Sequence, residues 1–108
     1  MPDRIENIFA KLSEACKQPD WKGCGFIRAA VELAERPGHP AFDVARRYKE
    51  SFTAWLQSEL EKAGYESAEE IAQMIMILID GAIARMLVHR DPKYALTAGR
   101  VAVRMLEG

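Results

Sequence analysis

His39, His89, Cys16 and Cys24 are the residues with which this chain could ligate a metal or hold a reactive nucleophile. A structural zinc site takes four ligands in closely spaced pairs, and these four residues occur singly. The two thiols are too few for a disulfide framework, and read as reduced cysteines, one of them a small core residue. His89-Arg90-Asp91 spells a tripeptide found in kinase catalytic loops, but no glycine-rich loop precedes it and 108 residues cannot hold a kinase. Gly23-Cys24-Gly25 begins a dinucleotide fingerprint, yet Arg28 stands where its third glycine belongs. No Gly-x-Ser-x-Gly elbow occurs. Asp80 is a carboxylate embedded in an apolar run, where it needs a partner on a neighbouring helix or a wet crevice; Arg85 lies near enough in sequence to be one. Nothing here composes a catalytic centre. The expectation is a protein that is not an enzyme and needs neither metal nor cofactor.

Aromatic chemistry is richer. Phe9, Trp21, Phe26, Phe42, Tyr48, Phe52 and Trp55 fall almost entirely in the first half of the chain. At helical spacing, aromatic residues read first as core. Met74, Met76 and Met86 on a later helix are adaptable side chains, suited to lining a cavity that takes varied apolar ligands.

These residues must be carried by helices. The chain is 49% hydrophobic and 29% charged, with 15 Lys and Arg against 16 Asp and Glu. That near-neutral balance argues against a surface built to grip nucleic acid, which needs clustered cations. Few glycines and prolines and many Ala, Leu, Glu, Lys, Arg and Met predict an all-α fold in one domain. Ile5, Ile8, Phe9, Leu12, Ala15 and Cys16 recur at spacings of three and four, predicting a first helix over 2–17. Pro19 and two glycines make a connector, and a second helix runs from Cys24 or Phe26 to Glu35 with Phe26, Ile27, Ala30, Val31 and Ala34 inward. Pro40 opens a third helix with an inward stripe of Phe42, Ala45, Tyr48, Phe52, Trp55, Leu56, Leu60 and Ala63. Gly64 stands where a left-handed residue ends a helix. Ser67-Ala68-Glu69-Glu70 reads as a capping box that starts a fourth helix, which Asp91-Pro92 halts after His89. A fifth helix spans Lys93 to Leu106.

The fourth helix is apolar all round its middle, from Met74 to Ile79, so it must be covered on more than one side. That run is far shorter than the ~20 residues a membrane span takes, and no signal peptide is visible, so a soluble cytoplasmic chain is expected. A five-helix domain of this size can hardly surround one of its own helices, which points to a second copy of the chain as the remaining cover. Ala95, Ala98, Gly99 and Ala102, continued by Met105 and Leu106, form a stripe of small and apolar residues that would let another helix approach. Gly81 and Gly99 in helix interiors imply a packing reason, since each costs ~1 kcal/mol against Ala. The expected interface of a homodimer therefore comprises Ile77, Gly81, Ile83, Ala95, Ala98, Gly99, Ala102, Met105 and Leu106.

The connector Trp21-Lys22-Gly23-Cys24-Gly25-Phe26-Ile27-Arg28-Ala29-Ala30, then His39-Pro40 opening a long charged helix, then Leu78-Ile79-Asp80-Gly81-Ala82 in the penultimate helix, together resemble the C-terminal domain of TetR-type (tetracycline-repressor-like) transcriptional regulators. The ordered set covers nearly the whole chain, with Gly25 at a position more usually Pro. The resemblance implies a small apolar effector in a cavity within the first four helices, and a four-helix bundle made by the last two helices with those of a partner subunit. The residues expected to line that cavity are Phe9, Trp21, Phe26, Ile27, Tyr48, Phe52, Trp55, Met74 and Leu78, with the Tyr48 hydroxyl as polar handle. The three-helix DNA-reading domain of such regulators is absent from the chain, so DNA would be contacted only through that missing part. A helical homodimerisation module without a ligand is the alternative.

Overall fold

The computed structural model describes residues 1–107. It contains five α-helices: α1 (Pro2–Cys16), α2 (Gly25–Glu32), α3 (Pro40–Lys62), α4 (Ala68–His89) and α5 (Lys93–Glu107). No strand occurs among the described residues, and the all-α expectation holds.

Each helix begins and ends for identifiable reasons. Pro2 and Pro40 occupy first turns, where a missing N–H is harmless. His39 caps α3 with its side chain: Nδ1 accepts from the Ala41 N–H at 3.1 Å. At the other end Gly64 turns left-handed (φ +93°), and the Tyr65 N–H donates to the Leu60 carbonyl at 3.1 Å. That is a Schellman closure, with Tyr65 packed against the core as its apolar contact. The capping box foreseen at Ser67 does not form. Ser67 holds the N-cap position of α4, but its side chain makes no cap hydrogen bond. Arg90 ends α4 in the left-handed region (φ 53°), and Asp91 accepts from the Lys93 N–H at 3.0 Å at the start of α5.

α2 is shorter than expected by about a turn and buries no residue fully. Val31 and Ala34, expected inward, are exposed, because α2 touches only α3 and needs one narrow contact stripe.

The helices pack in the order α2, α3, α4, α5, α1, with α1 also touching α4. Ile5, Phe9, Ser13 and Cys16 of α1 are buried, as are Leu56 and Leu60 of α3 and Ala72, Ile75, Ile79 and Met86 of α4. α1 lies close on α5 because Gly99 admits it: a Cβ there would stand 2.9 Å from the Cβ of Phe9. The connector between α1 and α2 is pinned to the far end of α4. Arg90 donates to the Trp21 carbonyl at 3.0 Å with its guanidinium over the indole, and Gly23 (φ +79°) seats on Leu87 where a Cβ would clash. The resulting body is flat, 41 by 31 by 16 Å.

α4 is long and apolar enough to cross a membrane by length and composition alone, which the length of its longest unbroken apolar run did not suggest. In the structure it packs on α3, α5 and α1 as the central helix, with Asp80 paired to a lysine midway along it.

Candidate functional site

α1 and α3 do not touch through their backbones; both lean on α4, and a cleft remains between them. Its floor is Met76, Ile79 and Ile83 of α4, and its walls are Ile8 and Leu12 of α1 and Tyr48, Lys49 and Phe52 of α3, with Cys24 at the connector end. The cleft encloses about 210 Å³. Toward the α1 N-terminus the two walls are tied together by Arg4, which pairs with Glu59 at 3.6 Å and lies over the Trp55 ring at 5.6 Å.

A second recess of about 330 Å³ opens between α2, α3 and α4, lined by Phe26, Ile27 and Ala30, by Phe42, Ala45, Arg46, Lys49 and Glu50, and by Asp80. Lys49 borders both spaces, and beside it the rings of Phe26 and Tyr48 stack at 4.6 Å, separating one from the other. The Lys49 ammonium donates to Asp80 Oδ1 at 2.8 Å across the α3–α4 contact. This is the partner that a carboxylate in an apolar run required, and it corrects the expectation of Arg85, whose guanidinium lies over Tyr94 instead.

Chemically, the cleft can desolvate an apolar body, and Lys49 is the one charged residue on its wall. No histidine or serine lines either space, and among the described residues no group of three His, Cys, Asp or Glu is placed to hold a metal.

A third concavity, about 370 Å³, lies between α4 and α5 and is lined by Ile77, Leu78, Gly81, Ala82, Arg85, Tyr94, Thr97, Ala98 and Val101. Ile77 is 71% exposed and Val88, farther along the same helix, 78%.

Of the nine residues expected around an effector, the structure brings Tyr48 and Phe52 to the cleft and Phe26 and Ile27 to the adjoining recess. The other five lie elsewhere. Phe9 is 1% exposed and consumed by the contact with Gly99. Trp21 sits in the connector under Arg90, Trp55 between α3 and the start of α1 under Arg4, Met74 on the surface of α4, and Leu78 on the α4–α5 groove. Ile8, Leu12, Lys49, Met76, Ile79 and Ile83 line the cleft in addition.

The expected interface set divides similarly. Ile77 and Gly81 are exposed on the outer groove, Ala98 forms part of its floor, and Met105 is half-buried. Ala95, Gly99, Ala102 and Leu106 are buried inside the chain, because α1 and α4 already occupy those sides of α5. Ile83 is likewise buried, turned to the cleft. These five are not open to a partner subunit as expected. Val101 and Val88 are exposed in their stead.

The family described as "Transcriptional regulator LmrA/YxaF-like, C-terminal domain" matches residues 2–101. This chain belongs to the TetR-type regulators. The HTH-type transcriptional regulator YjdC of Escherichia coli (strain K12) is 30% identical over 98 residues, which are 91% of this chain and 51% of that protein. YjdC of Shigella flexneri matches to the same extent. The chain thus spans about half the length of the curated relatives it matches. No solved structure matches it. The match runs through all five helices, so the cleft, the recess and the outer groove all lie on the C-terminal domain of this regulator family.

Proposed function

We infer that this TetR-type C-terminal domain senses a small apolar effector and holds two subunits together, while DNA is read by an N-terminal domain of the kind its relatives' names declare. The effector enters the cleft between α1 and α3. The partner is a second copy, seated on the outer groove of α4 and α5 so that two helices from each subunit form a four-helix bundle. The regulator works in the cytoplasm, without catalysis and without a cofactor.

One observation carries this reading: α4 serves two surfaces at once. Met76, Ile79 and Ile83 floor the cleft, and Ile77 and Gly81, interleaved with them, face outward. A ligand that prefers one position of α4 therefore biases the relation between subunits, and that differential affinity is the signal. The outer face suits a homodimer because exposed apolar side chains at helical spacing are costly in water and self-complementary across a two-fold axis.

At a hundred times its dissociation constant, a cognate effector stabilises the fold by ~2.7 kcal/mol. In a domain of this size that raises the melting temperature by on the order of 10 °C. A thermal screen of small apolar compounds, combined with sedimentation velocity, tests both halves. A chain that is monomeric at micromolar concentration and indifferent to every compound would refute the reading. The small volume of the cleft, below the ~300 Å³ where ordinary ligand sites begin, favours one alternative: a homodimerisation module that binds nothing. A dimer without any thermal shift would select it.

A further inference from the structure

Charge is distributed unevenly between the two spaces that meet at Lys49. The recess carries Arg46, Lys49, Glu50 and Asp80, two of each sign, and is open to water. In the cleft Lys49 is the sole charged residue. Asp80, its counter-ion, borders only the recess and has the more exposed side chain of the two, 40% against 26%. An ammonium has three donors, and Asp80 Oδ1 takes one of them. The cleft is thus an apolar space with one charged residue on its wall, whose ammonium is held at the border with the recess by Asp80 and has two further donors.

Resting on the reading of that cleft as the effector site, we propose that Lys49 is its polar anchor and that the effector is a small apolar monocarboxylate. The carboxylate accepts from the Lys49 ammonium, and the apolar body lies against Phe52, Met76 and Ile83. An amine of the same shape would bring a second cation to the ammonium, and like charges repel strongly where water is scarce. A neutral body gains burial but no charge-assisted hydrogen bond.

The anchor also explains how occupancy would be felt elsewhere. Among the described residues, Lys49–Asp80 is the sole side-chain hydrogen bond joining α3 to α4. A ligand carboxylate competes with Asp80 for the same ammonium. Asp80 adjoins Gly81 and stands one turn from Ile77, both on the outer groove. Loosening that tie frees α4 to shift against α3.

Phenylacetate, 2-phenylethanol and 2-phenylethylamine share one body and differ in the head, and their binding to the chain can be compared by titration calorimetry. Phenylacetate is expected to bind about tenfold tighter than the alcohol, with the amine weakest. Lys49→Met should bring acid and alcohol to equal affinity, and Asp80→Asn should tighten the acid several-fold while leaving the alcohol unchanged. Circular dichroism melting checks that each variant is folded, and Lys49→Gln serves if Lys49→Met is not. Equal binding of acid and alcohol to the unmodified chain, or an acid preference that survives Lys49→Met, overturns the anchor while the cleft remains an effector site. A preference for the amine overturns it in favour of Asp80 as the polar contact. Binding of none of the three at millimolar concentration overturns the anchor, and the thermal screen of apolar compounds then decides the effector reading separately.

Discussion

Gly81 and Gly99 carry the same helix-propensity penalty, and their surroundings make them opposite positions for substitution. A Cβ at Gly99 would meet the Cβ of Phe9 at 2.9 Å, close to the backbone of α1, where the neighbour cannot swing away. Overpacking of this kind costs ~1–3 kcal/mol, against ~1 kcal/mol recovered in helix propensity. Gly99→Ala is therefore expected to destabilise the chain by about 1 kcal/mol. At Gly81 a Cβ would meet nothing within 4 Å. Gly81→Ala should stabilise the isolated fold by about 0.5–1 kcal/mol, with the sign opposite to Gly99→Ala in the same urea titration. Sequence alone could not separate these glycines, since a stripe of small residues says that a helix approaches closely but not which helix. The stripe on α5 divides: Gly99 takes α1, and Ala98 floors the outer groove.

At the scale of the helix, punctuation was legible and azimuth was not. Pro40 and Gly64 mark the ends of α3 as foreseen, and α4 ends at His89 before Asp91-Pro92, also as foreseen. The face of α1 followed from its periodicity, as did Leu56 and Leu60 of α3, whereas Tyr48, Trp55 and Ala63, expected inward on the α3 stripe, are exposed. On α4 the unbroken apolar run has no phase, so nothing in it distinguished Met76 and Ile79, which floor the cleft, from Ile77 and Leu78, which line the outer groove. Nothing in the sequence marks Lys49, because a lysine on an amphipathic helix reads as solvated and its partner Asp80 is 31 positions away. Caps give a second test at this scale. Ser67 has the right residue type but makes no cap bond, whereas His39 has an unusual type and makes one. Ser67→Ala should change stability by less than about 0.5 kcal/mol, whereas His39→Ala should cost about 1 kcal/mol, both read from thermal unfolding at neutral pH. Equal losses at the two positions would contradict the observed capping.

For the whole molecule, thickness decides the argument. Packed helix layers lie ~10 Å apart axis to axis, and the backbone envelope is 16 Å in its thinnest dimension, so the domain is only two helices deep. A central apolar helix in so thin a body cannot be covered on all sides by its own chain, and α4 is the one left showing Ile77 and Val88. The bare face runs from Met74 to Val88 on α4, about 21 Å, and continues onto Val101 of α5. Ile77→Asp tests this face as the dimer interface. Ile77 is 71% exposed, so the substitution should move the stability of a single chain by no more than about 0.5 kcal/mol. Across a two-fold interface the same charge is buried twice, and the dimer should weaken by several kcal/mol, enough to appear as monomer in sedimentation velocity at micromolar concentration. Val31 on α2 is equally exposed but lies away from α4 and α5, so Val31→Asp should leave the dimer intact. A dimer that survives Ile77→Asp and dissociates with Val31→Asp would move the interface to the α2 side and detach it from the helix that floors the cleft.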